Sequence, residues 1–166
     1  MARLVLVGMP GVGKSTVARA LARQWHCRAL DTDDLVAALV GTTAAAYLRD
    51  EGEATFRERE VDALTDALAR DDVVATGGGV VTTERARTLL EGEVTLWLDC
   101  DDDVLMARLD DVERPLIGRD VRSSLVRLRE ERDEWYAAVS VGRVDASGTV
   151  DDVVTRVNDQ LGRLST

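Results

Sequence analysis

A chain of 166 residues with 21 basic and 31 acidic side chains and a formal charge of −10 has room for one domain, or one domain with a small lid. Apolar residues make up 45% of it and aromatics only 4%, so an aliphatic core is affordable and collagenous, disordered and disulfide-stapled classes are excluded. The acidic excess repels a phosphodiester backbone, and no compensating basic patch is visible, so no nucleic-acid partner is expected. Cys27 and Cys100 lie far apart in no CxxC pair and read as reduced thiols acting as small hydrophobes.

Leu4-Val5-Leu6-Val7 is an apolar run ended by glycine, which suits a central strand covered on both faces. It is far too short to span a membrane. No signal peptide or membrane segment is expected, and the chain reads as soluble and cytoplasmic. From Ser15 the residues Val17, Ala20, Leu21 and Trp25 recur at helical spacing, and Arg28-Ala29-Leu30 forms a second short strand ending at Asp31. Helical patterns at Asp34–Val40, Ala44–Leu48 and Phe56–Ala69 make a helical region, about 33–70, on the substrate side. Val73–Thr76 is the third strand, running into Gly77-Gly78-Gly79, and Val94–Leu98 the fourth, followed by a helix around Val104–Leu109. The stretch Asp110–Arg122 loses periodicity and carries Pro115 and Gly118, the pattern of a mobile surface loop or lid. A long helix over Leu125–Val139, a fifth strand at Val141–Val144 and a closing helix with Val150, Val153, Val154, Val157, Leu161 and Leu164 on one stripe complete the chain. Strands alternating with helices predict an α/β fold, a parallel sheet with helices on both faces.

The strongest motif is Gly8-Met9-Pro10-Gly11-Val12-Gly13-Lys14-Ser15-Thr16. It fits G-x-x-x-x-G-K-[ST] between a predicted strand and a predicted helix, the context that gives the pattern its meaning. A chain of this length matches it by chance in fewer than about one case in a hundred. The glycines free backbone N–H groups to cradle phosphate oxygens at a helix N-terminus. Lys14 would reach the β and γ phosphates and Ser15 would ligate Mg²⁺. Lys14 is also the only lysine among the 21 basic residues, placed where a compact ammonium differs chemically from a guanidinium.

Asp31-Thr32-Asp33-Asp34 falls at the C-terminal end of the second strand, the edge where open α/β sheets bind ligands. Asp31 could hold Mg²⁺, directly or through water, and Asp33 could orient an acceptor hydroxyl and take its proton. One residue of the cluster could instead cap the following helix, a job assigned here to Thr32 or Asp34. Two arginines interrupt apolar stripes: Arg57 with Val61, Leu64 and Leu68, and Arg132 with Leu125, Leu128 and Trp135. An inward guanidinium must be paired or bind an anion. A structural ion pair with Glu60 or a snorkelling stem competes evenly with ligand binding for either residue alone; two such arginines beside a phosphate loop favour the ligand.

Gly77-Gly78-Gly79 would let backbone approach a ligand closely, and Arg114 in the irregular loop could neutralise charge on a transferring phosphoryl group, although most arginines are simply solvated. His26 reads as a helix-end residue, and Asp101-Asp102-Asp103 as a helix N-terminus with solvated charges.

With these landmarks in order, the chain resembles the shikimate kinases, in the nucleoside-monophosphate-kinase-like branch of the P-loop fold. The resemblance rests on GMPGVGKST, DTD at Asp31–Asp33, FRxxE at Phe56, Arg57 and Glu60, GGG at Gly77–Gly79, RPL at Arg114–Leu116, and RxxxY at Arg132 and Tyr136. It implies a three-layer α/β/α fold with a five-stranded parallel sheet, and transfer of the γ-phosphoryl group of ATP, with Mg²⁺, to the 3-hydroxyl of shikimate. It implies ATP contacts from Gly11, Val12, Gly13, Lys14, Ser15, Thr16, Arg108 and Arg114. The acceptor would be held by Asp33, Arg57, Arg132 and the turn Gly77, Gly78 and Gly79, with the two inward arginines on its carboxylate. Ser15 and Asp31 would serve the metal, and Lys14, Asp33 and Arg114 the transfer itself. Two departures stand out. Gly41–Leu48 reads GTTAAAYL where the family has larger side chains, which points to a different pocket wall, and Asp145-Ala146-Ser147-Gly148 lacks the basic residue that often flanks adenine, leaving Arg108 for that role.

The nearest rival reading is a kinase of another small hydroxy acid or cyclitol on the same fold; two carboxylate-clamping arginines favour an acid. A nucleoside-monophosphate kinase would want a roomier insertion and more phosphate-gripping arginines. A non-catalytic nucleotide-binding module would not need Asp33, Arg57, Arg114 and Arg132. Nothing in the chain marks an interface, so a monomer is expected.

Overall fold

The computed structural model describes residues 1–109 and 120–165. Five strands, β1 (Leu4–Val7), β2 (Ala29–Asp31), β3 (Val73–Ala75), β4 (Thr95–Asp99) and β5 (Gly142–Asp145), form one sheet in the order β2-β3-β1-β4-β5. Every pairing is parallel. Such strands need crossover connections, and the helices supply them: α1 (Lys14–Gln24), α2 (Thr32–Val40), α3 (Ala44–Glu51), α4 (Glu53–Leu68), α5 (Glu84–Leu90), α6 (Asp102–Leu109), α7 (Val121–Val139) and α8 (Val150–Leu164). Helix α1 packs on β2 and β3 and against α8, while α7 lies on β4 with α5 beside it. The result is the expected three-layer α/β/α arrangement with a five-stranded parallel sheet.

The apolar run of β1 is wholly buried at all four positions. Each such Val or Leu contributes about 1.5–3 kcal/mol of burial, which explains why the central strand is uninterrupted while edge strands β2 and β5 carry mixed residues. Because β1 is flanked by β3 on one side and β4 on the other, the chain diverges at its C-terminal end, and the crevice that opens there is where such sheets bind ligands.

A second, smaller apolar cluster, Val36, Phe56 and Ala63 with Leu35, Val40, Ala44, Tyr47 and Leu48 around it, joins α2, α3 and α4. Helix α3 has no buried residue, and its Ala44, Tyr47 and Leu48 pack on this cluster and not on the main core.

Several expectations need correction. Residues 84–90 form α5, which the periodicity did not announce, because in under two turns only Ala86 and Leu90 face inward. Helix α7 begins at Val121 with Asp120 as its N-cap, its side chain accepting from the Ser123 N–H, so the irregular stretch read as Asp110–Arg122 is shorter; its residues 110–119, Arg114 among them, lie outside the described residues. On α7 it is Tyr136 that is fully buried, with Trp135 only half-buried and its ring 4.7 Å from the Arg87 guanidinium. Cys27 and Cys100 are free thiols. Among the described residues no helix is long and apolar enough to cross a membrane.

His26, just beyond the end of α1, adopts φ 55°, a left-handed conformation that costs a side chain about 1–2 kcal/mol. The residue is exposed. His26→Gly is therefore expected to raise stability by about 0.5–1 kcal/mol, once the extra freedom of an unfolded glycine is deducted. Urea denaturation checks this; an unchanged or lower midpoint would mean that the imidazole makes a compensating contact.

Candidate active site

The loop after β1 turns into α1 through Gly13, whose φ of 103° is a conformation only glycine adopts without strain. No side chain caps α1 and its first turn holds no acidic residue, so the N-terminal N–H groups and the positive end of the helix dipole face the crevice. The Lys14 ammonium is buried and folds back over the loop, donating to the carbonyls of Gly8 at 2.8 Å and Met9 at 2.9 Å. A cleft of about 530 Å³ opens here, lined by the loop from Pro10 to Thr16, by Asp31, Asp33, Gly77 and Gly78, and by Arg108 with Gly148 to Val150.

Asp31 ends β2 and is the N-cap of α2: its Oδ1 accepts from the Asp33 N–H at 2.9 Å and its Oδ2 from the Ser15 hydroxyl. The cap is thus neither Thr32 nor Asp34. An extended backbone at the strand end aims the Asp31 carboxylate at the first free N–H groups, whereas Thr32 turns inward and its Oγ1 accepts from the Gly77 N–H at 2.9 Å. That bond ties β2 to the glycine turn and brings Gly77 beside Asp33, whose Oδ1 lies 3.0 Å from where a Cβ on Gly77 would sit.

Both inward arginines are buried as the stripes predicted. Arg57, 9% exposed, donates from Nη1 to Glu60 Oε2 at 2.7 Å and from Nη2 to Glu53 Oε1 at 3.1 Å, so the ion-pair reading with Glu60 holds as well. Its guanidinium covers Gly79, where a Cβ would collide with it. Arg132 is 2% exposed. One turn further along α7, the Tyr136 hydroxyl donates to the Gly78 carbonyl. Among the described residues, buried Arg57 Nε and Arg132 Nη1 have no hydrogen-bond partner, an expensive condition for charged donors unless a ligand completes them. Glu60, 1% exposed, sits among Arg57, Arg132 and Asp33. Burial pushes its carboxyl above the usual range, Arg57 opposes this, and Asp33 adds to the rise. Burial also works against the Arg57 cation, yet Glu60 and Glu53 raise its pKa above the ordinary value.

On the other side of the cleft, Arg108 donates to the Val12 carbonyl and to the Ala146 carbonyl, each at 2.9 Å. It bridges the phosphate loop to the segment between β5 and α8. Thr149 there forms a capping box with Asp152, fixing the start of α8 at the cleft wall. Lys14, Ser15, Asp31, Asp33, Arg57, the glycine turn, Arg108 and Arg132 are therefore gathered at one sheet edge; Arg114 is outside the described residues. Sequence reasoning missed Thr32, whose signal was only its place between two aspartates.

The fit of a divalent ion can be judged from the donors. Ser15 Oγ and the Asp31 carboxylate are joined beneath the phosphate loop, with Asp33 nearby in the same cleft. Among the described residues no cluster of three or more His, Cys, Asp or Glu is poised for a metal. Mg²⁺ needs none: it takes one or two hard oxygen ligands from protein and the rest from phosphates and water. The residues present fit it.

A phosphate-loop helix end at the cleft, with buried Arg57 and Arg132 behind the glycine turn at the switch point of a parallel sheet, places the protein among P-loop phosphotransferases of the nucleoside-monophosphate-kinase-like type. Comparison with known proteins narrows the class. The family model for shikimate kinase matches residues 10–162. A shikimate kinase of Gloeobacter violaceus is 42% identical over 149 residues, covering 87% of this chain and 84% of that one. A shikimate kinase of Frankia casuarinae is 39% identical over 154 residues, covering 92% of this chain and 68% of that one. The structure of the shikimate kinase from Acinetobacter baumannii in complex with shikimate superposes with a TM-score of 0.91 at 29% identity, covering 96% of this chain and 92% of that one. The chain belongs to the shikimate kinase family.

Proposed function

We propose that this protein transfers the γ-phosphoryl group of ATP to the 3-hydroxyl of shikimate, working as a cytoplasmic monomer. The observation that carries the acceptor assignment is the pair of buried donors, Arg57 Nε in the guanidinium that covers Gly79 and Arg132 Nη1 one turn before Tyr136, without hydrogen-bond partners among the described residues. A carboxylate on a small rigid ring answers both, because a planar guanidinium fork matches two carboxylate oxygens.

Phosphoryl transfer asks a protein mainly for alignment and charge neutralisation. The loop from Gly11 to Thr16 and the α1 terminus hold the β and γ phosphates, and Lys14 leaves the Gly8 and Met9 carbonyls to meet them. Ser15 and Asp31 would hold Mg²⁺, which when bound would neutralise charge on the phosphate oxygens. Asp33, beside Gly77, orients the acceptor hydroxyl in line with the γ phosphorus and accepts its proton as the new P–O bond forms and the bond to the ADP oxygen breaks. Arg57, Arg132 and Gly77–Gly79 seat the acceptor, residues 33–70 form its side of the cleft, and Arg108 stands at the nucleotide side. The resemblance gives Arg114 a neutralising role at the transferring group. Since both substrates are anions and the chain carries −10, this cluster of cations must concentrate positive potential locally.

The product locates the reaction. ³¹P NMR of a mixture of protein, Mg·ATP and shikimate is expected to show a phosphomonoester coupled to the proton on C3; no new phosphoester, or coupling to another ring proton, would reject the assignment. Asp33→Asn keeps the shape but removes the proton acceptor. Turnover is expected to fall about a hundredfold or more, the scale of general-base contributions, with ATP affinity unchanged within about twofold; undiminished turnover would take Asp33 out of the mechanism.

A further inference from the structure

Arg129 does not line the cleft, yet it joins the elements that carry the residues assigned to both substrates. It is 20% exposed at the side chain, donating from Nε to Asp102 Oδ1 at 2.5 Å, from Nη1 to Asp99 Oδ1 at 2.9 Å and from Nη2 to the Cys100 carbonyl at 2.5 Å, with Asp133 Oδ2 3.6 Å away. Asp99 ends β4 and is buried, Cys100 follows it, and Asp102 opens α6. One guanidinium on α7 therefore fastens the end of β4 and the start of α6 at three points. Lysine, with a single ammonium on a flexible stem, cannot copy a planar fork of this kind.

The placement along each helix gives the joint its leverage. On α7, positions 129, 132 and 136 are spaced three and four apart and share a face, so fixing Arg129 fixes the rotation that aims Arg132 at the acceptor and Tyr136 at the Gly78 carbonyl. On α6, Asp102 is six residues before Arg108, which grips the Val12 and Ala146 carbonyls at the nucleotide side. We propose that Arg129 is a positioning residue that sets the acceptor-bearing helix α7 against the nucleotide-side helix α6, so that both substrates meet at the correct separation. The proposal rests on the assignment of acceptor and nucleotide sides given above. Arg143 provides an internal comparison: it pairs with the other oxygen of Asp99 but comes from β5 and joins neither helix to the other.

The test uses the full-length protein with Arg129→Gln, Arg129→Lys and Arg143→Gln, each assayed below its melting temperature for KM of shikimate, KM of ATP and kcat, with ATP Kd measured separately by calorimetry. Arg129→Gln is expected to raise both KM values about fivefold or more and lower kcat about tenfold, while Arg143→Gln lowers the melting temperature with KM values unchanged. Should Arg129→Gln fail to fold, Arg129→Lys, which keeps a charge opposite Asp99, is expected to show the same shifts at about threefold. Lowered melting temperature with unchanged KM values in the Arg129 variants would make the network merely structural and overturn the proposal. If the wild type shows no shikimate-dependent turnover, the functional reading fails instead; the ATP Kd then decides the Arg129 question alone, an unchanged value in Arg129→Gln refuting it and a severalfold weaker one supporting it.

Discussion

Arg132→Ala is expected to raise KM for shikimate by about ten- to a hundredfold, equivalent to the roughly 1.5–3 kcal/mol of a charge-assisted hydrogen bond, while KM for ATP stays within about twofold. Arg132 is 2% exposed and its Nη1 has no hydrogen-bond partner among the described residues, so truncation removes a buried donor that a bound carboxylate would complete, along with a charge felt by Glu60 and Tyr136. Its Nε contact to Glu131, at 3.5 Å, is too long to explain why so buried a cation is kept. Arg57 is the less clean probe of the same clamp: truncating it would also strip Glu60 and Glu53 of their partner and leave a buried carboxylate uncompensated. Steady-state kinetics with each substrate varied in turn separates the two KM values. An effect confined to ATP would place Arg132 on the wrong side of the cleft.

Lys14→Met is expected to lower turnover about a thousandfold, the scale reported for removing one preorganised charge-stabilising donor from a transition state, without unfolding the protein. The stem is replaced by one of similar length, and the lost bonds include those to the Gly8 and Met9 carbonyls in the loop, while the apolar packing of β1 is untouched. Circular dichroism and thermal melting report the fold, and ADP release reports the chemistry. Near-normal turnover would defeat the phosphate assignment; a collapsed melting curve would show that Lys14 is chiefly a brace for the loop.

The parts of the site that were legible in the sequence are those where local chemistry restricts the choice of residue. A phosphate loop needs glycines with unusual dihedrals and one compact cation next to each other in the chain, and it could be read directly. The inward arginines were legible because a buried face repeats at helical spacing and each broke an apolar stripe. What escaped depends on groups distant in sequence or on very short elements. Arg129 has its partners Asp99 and Asp102 30 and 27 residues away, so no window of the chain reveals them together. The cap of α2 was misplaced by one or three residues because Asp31, Thr32 and Asp34 are all competent caps, and only the strand-end backbone selects among them. Tyr136 displaced Trp135 from the interior because adjacent positions on a helix differ by about 100°, and the tyrosine hydroxyl alone can reach the Gly78 carbonyl.

The family membership and the fold leave acceptor choice to the residues that line the cleft. The decisive measurement is ADP release from Mg·ATP by the purified protein, comparing shikimate with its carboxamide, gluconate, a neutral cyclitol and no acceptor. Strong stimulation by shikimate, with a carboxamide response lower by about ten- to a hundredfold, is the expected result. Equal stimulation by the carboxamide, or stronger stimulation by gluconate or the cyclitol, would contradict a shikimate site built around two carboxylate-binding arginines.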